Sequence, residues 1–152
     1  MKKFVFCIFL FQLLGNIRAQ NGTVAAAHPI AVDVVEKVFR EGGNAYDAAV
    51  AAHFVLAVVL PRAGNIGGGG FAVIHTSKGE AATLDFREIA PLSATKDMFI
   101  KNNDDQTVSS LTSKSASGVP GSVKGMWNLY LRYGSRKVSW SDLLTPAILL
   151  AD

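Results

Sequence analysis

Two short stretches carry the residue types best suited to chemistry: the glycine run Gly64-Asn65-Ile66-Gly67-Gly68-Gly69-Gly70-Phe71 and, shortly after it, Leu84-Asp85-Phe86-Arg87-Glu88-Ile89-Ala90-Pro91. Each glycine costs about 0.5–1 kcal/mol relative to alanine in regular structure. Four in a row therefore serve either a tight crossover beneath a neighbouring element or a floor on which a ligand lies against bare main chain. Arg87 sits between Phe86 and Ile89-Ala90, so its guanidinium is expected to be partly buried and to need a carboxylate partner. Asp85, two residues earlier on the same strand face, offers a local ion pair worth about 0–1 kcal/mol at a surface. A substrate carboxylate, gripped by the bidentate fork, meets the need equally well. Neither stretch contains a nucleophile.

Other chemistries fit less well. Gly67, Gly69 and Ala72 satisfy a loose dinucleotide-binding pattern, but that loop follows a strand and opens a helix, whereas this run follows a helix and opens a strand. No Gly-Lys-Ser/Thr phosphate loop and no Gly-x-Ser-x-Gly elbow is present. His28, His53 and His75 lack the spacing of a metal pair, and His53 reads as a core histidine on an alanine-rich helical face. Asp85 and Glu88, placed on opposite faces of a strand, do not make a paired-carboxylate site.

The elements that must position these stretches are legible. Ile30, Val34, Val35, Val38 and Phe39 recur at helical spacing, and Gly42-Gly43 ends that helix. Asn44 caps a second helix running to Leu60, with Asp47 in its first turn; it is apolar nearly all round, hence expected to be buried, and Pro61 stops it. Phe71–Thr76 and Ala81–Phe86 read as the strands of a hairpin turned at Ser77-Lys78-Gly79-Glu80. Residues 101–117 are polar and read as a surface loop. Val119-Pro120-Gly121 leads into a helix through Tyr133, and Ser139 with Asp142 forms a capping box for a last helix that Pro146 kinks or divides.

At 152 residues, 49% hydrophobic and 18% charged, the chain is long and apolar enough for one packed domain. Its formal charge of +3 comes from Lys2, Lys3 and Arg18; residues 20–152 carry 12 basic and 12 acidic side chains. A neutral body gives no electrostatic case for a nucleic-acid partner. Lys2-Lys3, the apolar run Phe4–Phe11 and the small residues Gly15 and Ala19 follow the order of a secretory signal, so residues 1–19 are expected to be a cleaved signal peptide and the protein to be exported. The apolar run is shorter than the ~20 residues that span a bilayer. Cleavage removes Cys7, the sole cysteine, and with it disulfide and thiolate chemistry. Asn21-Gly22-Thr23 matches a glycosylation acceptor, meaningful only in a eukaryotic secretory path. Asp152 falls within an apolar helix without a terminator, so residues 20–152 are expected to be a truncated part of something longer.

In order along the chain, Gly42-Gly43-Asn44-Ala45-x-Asp47-Ala48-Ala49-Val50-Ala51, Ile66-Gly67-Gly68-Gly69-Gly70-Phe71, Asp85-Phe86-Arg87-Glu88-x-Ala90-Pro91, Val119-Pro120-Gly121, Tyr133-Gly134, Trp140 and Pro146-Ala147-Ile148-x-Leu150-Ala151 resemble the gamma-glutamyltransferases. The resemblance runs from about Thr23 to the end of the chain. It implies an α+β fold, the αββα sandwich of N-terminal-nucleophile hydrolases, present here only as its N-terminal portion. It also implies a precursor that cleaves itself into a large and a small subunit. By position, Arg87 is the residue that grips the α-carboxylate of the gamma-glutamyl group; no ligand contact carries over to Asp85, Phe86 or Glu88. The catalytic threonine and the oxyanion glycines belong to the small subunit, so no catalytic residue is assigned in this chain, and Thr23, Thr107 and Thr112 lack the required context. The implied activity is transfer of the gamma-glutamyl group of glutathione or a similar donor to water, amino acids or peptides through an acyl-threonine. The implied partners are that substrate and the missing C-terminal part of the precursor, with no metal or organic cofactor. A related beta-lactam side-chain acylase and a non-catalytic exported binding fragment are the alternatives. Retention of Arg87 favours a donor with an α-carboxylate.

Overall fold

His28 and Pro29 start the first helix: Pro29 takes an early position where its missing N–H costs nothing, and His28 Nδ1 accepts from Ile30 N at 3.3 Å. A computed structural model describes residues 22–100 and 109–152, so the leader, Asn21 and the 101–108 part of the polar loop lie outside the described residues. Helix α1 spans Pro29–Arg40 and buries Ala31, Val35, Val38 and Phe39. It ends in a Schellman motif: Gly42, at φ 88°, donates to Phe39 O and Gly43 donates to Val38 O.

Helix α2, Ala45–Val59, is the centre of the structure and packs against α1 and against the later helices α3, Ser122–Tyr133, and α4, Trp140–Ala151. Its start is a reciprocal capping box. Asn44 Oδ1 accepts from Tyr46 N at 2.9 Å and Asp47 N at 3.1 Å, while Asp47 Oδ2 accepts from Asn44 N at 2.9 Å. The same pair reaches across the fold, because Asp47 Oδ2 also accepts from Ser135 N at 3.0 Å and Asn44 Nδ2 donates to Tyr133 O at 2.7 Å. A helix cap thereby becomes a clasp on the loop after α3.

Strands β1, Phe71–His75, and β2, Ala81–Asp85, pair antiparallel in the register Phe71 opposite Asp85 and His75 opposite Ala81. Gly79, at φ 85°, supplies the left-handed residue of the connecting turn. Ala72, Ile74, Ala82 and Leu84 face the helices, while Phe71, Val73, Thr83 and Asp85 are exposed on the other side.

After the polar loop, which carries a short 3-10 turn at Lys114–Ala116, helices α3, Ser122–Tyr133, and α4, Trp140–Ala151, complete the fold. Trp140 fixes them together, its ring 5.0 Å from Trp127, 5.6 Å from Tyr130 and 5.7 Å from Phe54. Helix α4 runs unbroken through Pro146. At its start Ser139 Oγ accepts from Asp142 N at 3.1 Å, but the Ser139 hydroxyl also donates to Asp142 Oδ2 at 2.6 Å. The expected reciprocal box is therefore closed between the two side chains.

Candidate functional site

Strand β2 ends at Asp85, one residue short of the expected Phe86, and this changes how Arg87 is held. Asp85 turns the chain: its Oδ1 accepts from Arg87 N at 3.0 Å, an Asx-type turn. Arg87 is thus off the strand, and Asp85 addresses its main chain rather than its guanidinium. The side chain is 65% exposed, which corrects the expectation of partial burial. Its guanidinium carbon lies 5.8 Å from the centre of the Phe71 ring, and Nε stands 4.0 Å from Glu88 Oε2, at the outer limit of an ion pair. Cation–π contact at an exposed site contributes about 0.5–1 kcal/mol, too little to lock the group. The fork therefore stands at the surface, over an aromatic ring and open to solvent.

The glycine run lies directly against this turn. A Cβ placed on Gly69 would stand 2.5 Å from Phe86 O and 2.6 Å from Arg87 Cα, distances only a bare backbone tolerates. Gly68 O accepts from both Gly121 N, at 2.9 Å, and Ser122 N, at 3.0 Å, tying the start of α3 to the same bend. Ile89 and Val119 exchange two backbone bonds of 3.2 and 2.8 Å, drawing Val119-Pro120-Gly121 beside the Arg87 turn. Three stretches far apart in the chain thus meet at one place. The crossover reading accounts for Gly64 and Gly69, whose added Cβ atoms would meet backbone. Gly67 is different: an added Cβ there meets only Asn65 Oδ1, at 3.9 Å. Gly69→Ala is accordingly expected to cost about 1–3 kcal/mol by overpacking, whereas Gly67→Ala leaves the melting temperature within a degree or two. Thermal denaturation of the two variants side by side checks this.

Sequence reasoning missed the seat of Phe86, whose ring lies against Gly70 and Gly125 and beneath His53. The available signal was Gly121 and Gly125, one turn apart on a single helix face. His53 is half-buried between Phe54 and Phe86, with ring centroids at 5.6 and 6.4 Å, and its Nε2 has no hydrogen-bond partner among the described residues. Desolvation lowers its pKa below the usual 6.5, because the charged ring loses hydration. The unfolded chain then takes up a proton at a higher pH than the folded one. Stability from this residue is complete above about pH 6.5 and falls as the pH drops below that, until folded His53 itself protonates. Unfolding midpoints measured between pH 7.5 and 5 should show the decline, and His53→Phe should flatten it.

An apolar hollow of about 410 Å³ flanks the glycines, walled by Phe54, Gly64, Ile66, Leu144 and Ile148 among others, but Arg87 is not among its walls. Arg87 therefore stands outside this hollow, at an exposed surface.

The family profile for gamma-glutamyltranspeptidase matches residues 31–152. The chain belongs to this family. Gamma-glutamyltranspeptidase relatives agree with it in both sequence and structure. The chain is 46% identical over 129 residues to the glutathione hydrolase proenzyme of Pseudomonas aeruginosa, covering 84% of this chain and 23% of that protein. It is 45% identical over 139 residues to the corresponding Escherichia coli proenzyme, covering 89% and 23%. Among solved structures, the gamma-glutamyltranspeptidase of Helicobacter pylori superposes with a TM-score of 0.78 at 50% identity, covering 89% of this chain and 38% of that one. The chain thus spans about a quarter of the length of these curated relatives. Its helices and hairpin are a portion of the gamma-glutamyltranspeptidase fold, the α+β sandwich of the N-terminal-nucleophile hydrolases.

Proposed function

We propose that this chain is the N-terminal part of the large subunit of a gamma-glutamyltransferase precursor, exported and freed of residues 1–19. In the complete protein, a threonine at the start of the small subunit attacks the gamma-glutamyl amide of glutathione or a similar donor, with its own amine as base. The amide nitrogen leaves with a proton, an acyl-threonine forms, and water or an amino-acid amine takes the acyl group. Arg87 binds and orients the donor through its α-carboxylate; bond breaking belongs to the other subunit.

The observation that supports this reading best is the seating of the Arg87 turn on Gly69, with the guanidinium exposed above Phe71. Nearest-neighbour packing fixes the main chain while the charged fork stays available, as capture of a carboxylate requires. The test is the full-length protein, encoded with its threonine-led second half, incubated with a chromogenic gamma-glutamyl anilide and, separately, with a beta-lactam carrying an acyl side chain. Release of the anilide with no action on the beta-lactam is expected. A full-length, processed protein that releases no anilide rejects the reading. Residues 20–152 alone are expected to be inactive, since they contain no nucleophile.

A further inference from the structure

We propose that Phe86 is the positioning residue for Arg87 and that Gly70, Gly121 and Gly125 form the socket that seats it; this rests on the assignment of Arg87 to the donor carboxylate. The socket is built from three sides. An added Cβ at Gly70 would fall 3.0 Å from Phe86 Cε2, one at Gly125 would fall 2.5 Å from Phe86 Cβ, and one at Gly121 would fall 2.7 Å from the Phe86 carbonyl carbon. The main chain is fixed as well, because Phe86 N donates to Gly70 O at 3.0 Å. His53 closes the remaining side, edge-on at 6.4 Å.

Phe86 and Arg87 share a rigid peptide plane, and Asp85 Oδ1 holds the next amide at 3.0 Å. Where the Phe86 ring is keyed, the Cα of Arg87 is therefore set, and only side-chain rotations remain. Any side chain at Gly121 or Gly125 drives the ring and its carbonyl outward and carries the guanidinium with them. A displacement near 1 Å is enough to lose on the order of a hundredfold in a positioned reaction. Phe86 has no contact to make with the substrate under this scheme; it acts through Arg87.

The experiment uses the full-length, processed protein and two donors, a gamma-glutamyl anilide and the 4-aminobutyryl anilide that lacks the α-carboxylate. The ratio of their kcat/KM values measures carboxylate discrimination and, because both are read on one preparation, does not depend on how much protein is correctly folded. Gly125→Ala, which fills the socket, and Phe86→Leu, which removes the ring without adding atoms, should each reduce the ratio at least tenfold, toward the value set by Arg87→Ala. KM for the gamma-glutamyl donor should rise more than kcat falls. If Arg87→Ala collapses the ratio while both socket variants keep it within twofold, Phe86 is packing only and the proposal is overturned. If Arg87→Ala itself leaves the ratio unchanged, the carboxylate assignment fails and the socket's role fails with it.

Discussion

Replacing Arg87 by alanine in the full-length protein is expected to lower kcat/KM for a gamma-glutamyl donor by roughly a hundredfold. Hydrogen bonds to charged groups contribute about 1.5–3 kcal/mol each, and loss of a two-pronged contact of about 3 kcal/mol corresponds to that factor. The effect should fall mainly on KM, because the contact holds the donor before and during reaction alike. Arg87→Lys should recover only part of the loss: an ammonium is a point charge without the planar fork. Stability should hardly change in either variant, since the side chain is 65% exposed and makes only a marginal contact with Glu88. Steady-state kinetics with thermal denaturation of the same preparations decides the matter. Unchanged kinetics, or a large fall in melting temperature, would remove Arg87 from substrate recognition.

The second large effect is on folding. Asp47→Ala should destabilise the protein by roughly 2–6 kcal/mol, about 1–3 kcal/mol for each of the two backbone amides it leaves without an acceptor. Asp47 is fully buried, and its Oδ2 receives the amide of Asn44 at its own helix start and that of Ser135, 88 residues further along the chain and just after α3. Alanine leaves both part-buried amides without this acceptor. Asp47→Asn should fall between, because the new amide keeps an acceptor oxygen but places two N–H groups among donors. Gly134 belongs to the same device: its added Cβ would stand 2.8 Å from Asp47 Oδ1. Urea denaturation of the full-length protein measures the loss; a shift below 1 kcal/mol for the alanine variant would show that the clasp contributes little. Set against a typical total of about 5–15 kcal/mol, the expected loss threatens folding itself. The capping motif therefore carries tertiary weight well beyond the ~1 kcal/mol of an ordinary helix cap.

These two residues illustrate where sequence reading succeeds and where it stops. Asn44 and Asp47 announce a helix start, because capping is decided by neighbours two and three residues away. The reach of Asp47 to Ser135 is invisible in the sequence, since it depends on how α2 and α3 cross. For Arg87 the residue type and its motif suggest carboxylate recognition, yet spacing alone placed it on a strand and partly buried. The Asx turn at Asp85 ended that strand early. A side-chain acceptor offered to the main chain competed successfully with ladder pairing.

Helix periodicity, caps, the hairpin and its turn, and family membership through motifs in order were all readable from the residues alone, because each depends on contacts within a few positions. The tertiary structure alone decided which glycines are crowded, which is open, and that the ring of Phe86, just after β2, sits between Gly70 and Gly125 while its carbonyl lies against Gly121. Those outcomes depend on close approach between segments that the chain brings together only after folding. No local propensity records the distance from Gly69 to Arg87 or from Gly125 to Phe86. Steric exclusion acts on neighbours in space, and glycine shows only that room is needed, not what fills it.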